Sequence, residues 1–209
     1  MVQPTFAELV ARPDIIEEST LRGSFGVMAY HGGGLEEMTD VIAREVAARA
    51  GASYYGVVHP PDWTLHLPST RVSPDQSPIL ARFLGHVDTV VTVHGYGRRN
   101  LFTSVLLGGR HRVLASHIAR HLRLALPAYG IVDDLDRIPT ELRGVHPRNP
   151  VNLVGRGGVQ IELPPRARGA SPLWWDWHEP IVPHTRSLID GLVAAIASWD
   201  HALDGPRRD

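Results

Sequence analysis

Apolar positions recur along this chain at two periods. Phe25-Gly26-Val27-Met28-Ala29-Tyr30 is an unbroken apolar run, and Thr89-Val90-Val91-Thr92-Val93 is dense in β-branched residues, so each predicts a buried strand. Val41, Ile42, Val46, Ala47 and Ala50 share roughly one face of a helix predicted over 39–50, which Gly51 stops. The same reading predicts a short helix over 5–12 and a first strand from Arg22 through Tyr30. Further strands follow at 53–58, 104–107, 129–132 and 157–163, with helices at 77–84 and 112–122 and a long closing helix at 185–203. Segments 59–70 and 133–152 are rich in proline and turn residues and read as loop or edge structure. Trp174-Trp175-Asp176-Trp177 lies in a proline-flanked loop, its rings expected to pack, and 205–209 reads as a frayed tail. Strand and helix alternate, which predicts a three-layer α/β arrangement around a central sheet. No repeat, linker or charge block divides the chain, so a single domain over 1–209 is expected.

Composition narrows the function. With 209 residues, 43% hydrophobic and 21% charged, the chain is long enough and apolar enough to bury a core. A net charge of -1 leaves no electrostatic footprint for nucleic acid. The first twenty residues carry Glu8, Asp14, Glu17 and Glu18, and no uninterrupted apolar run is long enough to span a bilayer. The expectation is therefore a cytoplasmic protein with neither membrane nor nucleic acid as partner. Zero cysteines exclude disulfides, a thiol nucleophile and a thiolate metal site, so any metal here is held by histidine and carboxylate.

The candidate chemistry sits where strands end. His31 follows the first confident strand, three glycines allow a sharp turn, and Glu36 lies close enough in sequence to fold back toward the imidazole. Glu37 is its immediate rival. His94-Gly95 closes a second strand, and Glu162 interrupts an otherwise apolar third, where a carboxylate faces either solvent or a site. Two histidines and one carboxylate with a second glutamate beside them are what a catalytic zinc centre with a general base requires. The structural alternatives are a strand-end histidine capping a backbone carbonyl and a solvated acid near a helix start. The His31-Gly32-Gly33-Gly34 string is also similar to the oxyanion-hole segment of lipases and esterases, but the G-x-S-x-G elbow that such a serine hydrolase needs is absent.

Tyr30-His31-Gly32-Gly33-Gly34-Leu35-Glu36-Glu37-Met38-Thr39 is followed in order by Leu65-His66-Leu67-Pro68-Ser69-Thr70, Val93-His94-Gly95-Tyr96, Leu107-Gly108-Gly109-Arg110 and Gly158-Val159-Gln160-Ile161-Glu162-Leu163-Pro164. Together these blocks resemble the poly-γ-glutamate hydrolase family. The resemblance implies a zinc carboxypeptidase-like fold, a single-domain α/β/α plan with a mixed central sheet. It implies zinc (Zn2+) held by His31, Glu36 and His94, with Glu162 as general base. Arg110 would meet a substrate carboxylate as a bidentate pair. His66 is a candidate substrate contact, with a place behind the ligands or plain exposure in its proline-rich loop as the alternatives. The implied substrate is a polyanionic γ-linked glutamate polymer, cut by metal-activated water. Two alternatives use the same scaffold: a zinc amidohydrolase of small N-acyl amino acids, and a non-catalytic protein that binds metal or polyanion. Arg166 and Arg168 read as surface charges, with contact to a polyanionic substrate as the alternative.

Overall fold

The computed structural model describes residues 3–199. The predicted end of the closing helix beyond 199 and the tail at 205–209 lie outside the described residues. Seven strands of the described residues form one sheet: β1 (Ile16–Thr20), β2 (Phe25–Gly33), β3 (Ser53–His59), β4 (Thr89–Gly95), β5 (Ser104–Leu107), β6 (Gly130–Val132) and β7 (Val159–Leu163). Their spatial order is β1-β3-β2-β4-β7-β5-β6. Strands β3, β2, β4 and β7 run parallel, whereas β1 pairs antiparallel with β3, and β5 pairs antiparallel with β7 and parallel with β6. The sheet is therefore mixed, and the direction of β5 has consequences for the site. The helices are α1 (Phe6–Val10), α2 (Thr39–Ala50), α3 (Pro78–His86), α4 (Arg112–Ala125), α5 (Pro165–Arg168) and α6 (Pro183–Ala197). None is long and apolar enough to cross a membrane.

Alternation along the strands divides the core between the two faces of the sheet. Val91, Val93, Val159, Ile161 and Leu163 pack with Ile42 and Val46 of α2, Leu114 and Ile118 of α4 and Leu188 and Leu192 of α6. On the other face Met28, Tyr30, Tyr55, Val57 and Val90 pack with Phe6 and Leu9 of α1 and with Leu80 and Phe83 of α3. The intervening positions on β4 and β7, Thr92, His94, Gln160 and Glu162, are all buried and belong to this second face. Polar side chains buried there need partners, and that need organises the site.

Strand β1 was not expected. Ile-Glu-Glu-Ser-Thr lacks apolar alternation because it is an edge strand with half its surface in solvent. Its two acids instead accept the hydroxyls of β3 tyrosines, Glu17 from Tyr55 at 2.7 Å and Glu18 from Tyr54 at 3.2 Å.

Candidate active site

His31 lies within β2 rather than after it, because the strand runs on through Gly33. Pairing with β3 slips between Ala29 and Gly32, so one extra residue on β2 breaks strict inside-outside alternation next to His31. The chain then doubles back: Glu36 N–H donates to His31 O at 2.9 Å, and Thr39 Oγ1 donates to Glu36 O at 2.8 Å. Gly33 makes the reversal feasible, since it has φ +69° and a Cβ there would lie 2.2 Å from His59 O. Met38, at φ 70°, is the non-glycine residue of this turn held in the left-handed region, and its side chain packs on the helix-side core. Such backbone is tolerated where surrounding structure over-determines it, here two residues after Glu36.

This turn drives the Glu36 carboxylate between two imidazoles. Oε1 lies 3.0 Å from His31 Nδ1, Oε2 lies 3.2 Å from His94 Nδ1, and Oε2 also accepts the Gly95 N–H at 2.8 Å. Glu37 is exposed and turned away, so of the two adjacent acids Glu36 faces the histidines. His66 joins from the loop after β3, its Nε2 3.9 Å from Glu36 Oε1 and its ring 4.5 Å from that of His31. Ligand atoms of His31, Glu36 and His66 all lie within 4.8 Å of one another, a group able to hold a metal ion. Tyr30 presses its ring edge-on against both His31 and His94, with centroids 5.0 and 4.8 Å away.

Proton bookkeeping shows what this cluster lacks. The Leu67 carbonyl 2.9 Å from His31 Nε2 can only accept, so Nε2 carries the hydrogen and neutral His31 presents a bare lone pair at Nδ1. A carboxylate oxygen is likewise acceptor-only. Two acceptors 3.0 Å apart require a cation between them, either a proton on His31 or a metal. His94 turns Nδ1 toward Glu36, and its Nε2, on the other side of the ring, is buried without a hydrogen-bond partner among the described residues. The donor set, two imidazoles and one carboxylate with a third imidazole beside them, fits zinc.

The charges reinforce one another. Burial opposes ionisation of Glu36, but His31 and His94 outweigh it and hold the carboxyl well below its usual range. Burial likewise opposes a charge on His94, yet Tyr30, Glu36 and Glu162 together raise its pKa well above the ordinary value. Burial pulls His66 down, helped by His31, and it takes His59 to about 4, so His59 is neutral at pH 7. Glu162, the cross-strand partner of His94, is pushed up to about 7. Burial is the main cause, Glu36 adds to it, and His94, the Gln160 amide and Arg168 pull against it.

Arg110 is not part of this constellation. Because β5 runs antiparallel to β7, the turn after β5 emerges at the start of β7: His111 N–H donates to Gly158 O, and a Cβ on Gly157 would touch Arg110 Cβ at 3.0 Å. From Gly158 to Glu162 is roughly 13 Å of strand, so the exposed Arg110 stands at the opposite end of the sheet. The cation beside the site is Arg168, which is buried rather than a surface charge. Its guanidinium packs against Gly95, Nε donates to Leu163 O at 3.3 Å and Nη1 donates to Glu37 O. Its placement follows from α5 turning back immediately after β7. Trp175 and Trp177 are exposed, and of the three indoles in that loop Trp174 makes a hydrogen bond, to Arg166 O at 3.1 Å.

The profile of the poly-gamma-glutamate hydrolase family matches residues 6–171, which spans every residue of the cluster. The chain belongs to the poly-gamma-glutamate hydrolase family. Among solved structures it resembles a bacteriophage poly-gamma-glutamate hydrolase, with TM-score 0.71 and 21% identity over 87% of each chain. It also resembles the zinc-free apo form of YndL, with TM-score 0.69 and 23% identity over 87% of each. At these identities the likeness establishes the fold. In sequence it is 29% identical over 139 residues to the UPF0714 protein YndL of Bacillus subtilis and 30% identical over 139 residues to the SPbeta prophage-derived YoqZ of the same organism. Each match takes in 66% of this chain, and the chain spans about half the length of these relatives.

Proposed function

We propose that this protein is a zinc-dependent amide hydrolase acting on γ-glutamyl linkages, with His31, Glu36 and His94 as metal ligands and Glu162 as general base. The observation that carries the reading is the pair His31 Nδ1 and Glu36 Oε1, held 3.0 Å apart so that a proton or a metal ion lies between them, in a buried cluster beside a carboxyl of raised pKa. Family membership and the fold shared with the phage enzyme support a hydrolase. The zinc-free designation of the YndL structure supports the choice of metal. Zinc held by these three residues would supply Lewis acidity toward the amide carbonyl and lower the pKa of water. Glu162 removes a proton from the attacking water and returns it to the leaving nitrogen, a task suited to a carboxyl whose pKa lies near neutrality. His66, partly exposed beside Glu36, faces the substrate side of the cluster and contacts the bound chain. Arg168 contributes fixed positive charge behind Glu36 and Glu162.

The test combines metal analysis with hydrolysis of γ-linked glutamate polymer and of N-acyl glutamates. Expected are about one zinc per chain and release of glutamate oligomers, abolished by a chelator and restored by zinc. Glu162→Gln should keep its zinc and lose at least about a hundredfold in kcat. Turnover near wild type in that variant would overturn the role of Glu162. Turnover of N-acyl glutamates alone would redirect the substrate to small acids.

A further inference from the structure

Glu162 is not held by the charged residues around it but by an uncharged chain of side chains that the metal and proton chemistry leaves unused. Tyr30 Oη donates to Asn149 Oδ1 at 2.9 Å, Asn149 Nδ2 donates to Gln160 Oε1 at 2.7 Å, and Gln160 Nε2 donates to Glu162 Oε1 at 2.7 Å. Asn149, Gln160 and Glu162 are all buried, and Asn149 Oδ1 also accepts the Val151 N–H at 3.3 Å. That backbone donor fixes the orientation of the Asn149 amide. With Asn149 fixed, its NH2 group faces Gln160 and admits only the carbonyl end of the glutamine, so the glutamine must turn its own NH2 group to Glu162. Every link therefore donates in the same direction. The last acceptor is one specific oxygen of the carboxylate.

Resting on the reading of Glu162 given above, we propose that Tyr30, Asn149 and Gln160 are positioning residues that reserve Glu162 Oε1 as a permanent acceptor and leave Oε2 to carry the proton. When Glu162 acts, an O–H bond of water breaks, the electron pair stays on that oxygen as it bonds to the amide carbonyl carbon, and the proton bonds to Oε2. The Oε2–H bond then breaks as the proton passes to the amide nitrogen and the C–N bond opens. The Gln160 N–H occupies one lone pair of Oε1 and lowers its basicity, so Oε2 is the favoured oxygen for both transfers. The relay also fixes the base relative to the two imidazoles, because the Tyr30 ring that starts it rests edge-on against His31 and His94. A buried amide network of this kind rigidifies when complete and loses its value when one link reverses.

Reversal of one link is the test. Asn149→Asp keeps the volume and still accepts from Tyr30 and Val151, but presents an acceptor to Gln160. The glutamine must then rotate and turn its oxygen toward Glu162. On γ-linked glutamate polymer this variant should lose at least about tenfold in kcat, with KM within about twofold and zinc content unchanged. Tyr30→Phe retains the ring contacts and should lose about three- to fivefold in kcat, and it keeps the test open if Asn149→Asp does not fold. In a Glu162→Gln background neither substitution should lower the residual rate further, because the oxygen that the relay serves no longer carries protons. Wild-type kcat in the folded Asn149→Asp and Tyr30→Phe proteins, with Glu162→Gln inactive, would overturn the relay and leave the hydrolase reading intact. A near-wild-type Glu162→Gln, or hydrolysis of neither the polymer nor N-acyl glutamates by the unmodified protein, would overturn both. A loss expressed in KM or in zinc content rather than kcat would assign these residues a purely structural role.

Discussion

Replacing Glu162 by glutamine in metal-stripped protein tests the electrostatics of the site separately from turnover. In the folded chain this carboxyl rises from an ordinary 4.5 to about 7, mainly because it is buried. Between those two values the folded state binds the proton that the unfolded state has already released. Stability therefore falls as pH rises, with the contribution fully present below about 4.5 and lost by the time pH passes 7. Integrated between pH 5 and pH 8, this one group costs on the order of 2 to 3 kcal/mol. For a chain of this length that corresponds to roughly 6 °C in melting temperature. The glutamine variant lacks the titration but preserves an oxygen for the Gln160 N–H. Its stability relative to wild type should improve by about that amount between the two pH values, whatever the offset at pH 5. Urea denaturation of both proteins in excess chelator at pH 5 and pH 8 provides the comparison. If the two stability curves run parallel, differing by less than about 0.5 kcal/mol in their pH dependence, Glu162 is not the buried, proton-retaining acid described here.

Other expectations follow from the geometry. His94→Ala should lower bound zinc to a small fraction of one equivalent by elemental analysis, whereas His66→Ala should retain it and raise KM, which separates the two histidines that flank Glu36. Arg110→Ala should leave kcat/KM within about twofold of wild type, since that side chain lies at the far end of β7; a tenfold loss would mean that substrate reaches it. Gly33→Ala should destabilise by at least about 2 kcal/mol in chemical denaturation, because a methyl group there combines a left-handed backbone with overlap onto His59 O.

His31, His94 and Glu162 were legible as neighbours because each lies near the end of one of the parallel strands, and Glu36 because it follows β2 closely enough to fold back. Parallel strands deliver such positions to one edge of a sheet. Pairing direction is a different kind of information. Nothing in Ser104-Val105-Leu106-Leu107 specifies that it runs opposite to β7, since periodicity records which face is buried and not which way the chain points. Arg110 was placed at the substrate by family resemblance, and the antiparallel run of β5 carries it to the far end of β7. Arg168 was read as exposed because arginines usually are, and its burial depends on α5 folding back onto Gly95. Asn149 lies in a proline-rich stretch that reads as loop, and its partners Tyr30 and Gln160 are 119 and 11 residues away. Hydrogen-bond chains of that kind have no period to detect.

The turn after β2 joins two of the converging groups within six residues, while the third comes from a strand 58 residues further along the chain. A partly unfolded molecule would keep the hairpin-like pair and lose the remote imidazole. If zinc is held as proposed, ion retention gauges whether β2 and β4 are docked, and a chelator should speed the separation of those two strands more than it speeds fraying at either edge of the sheet.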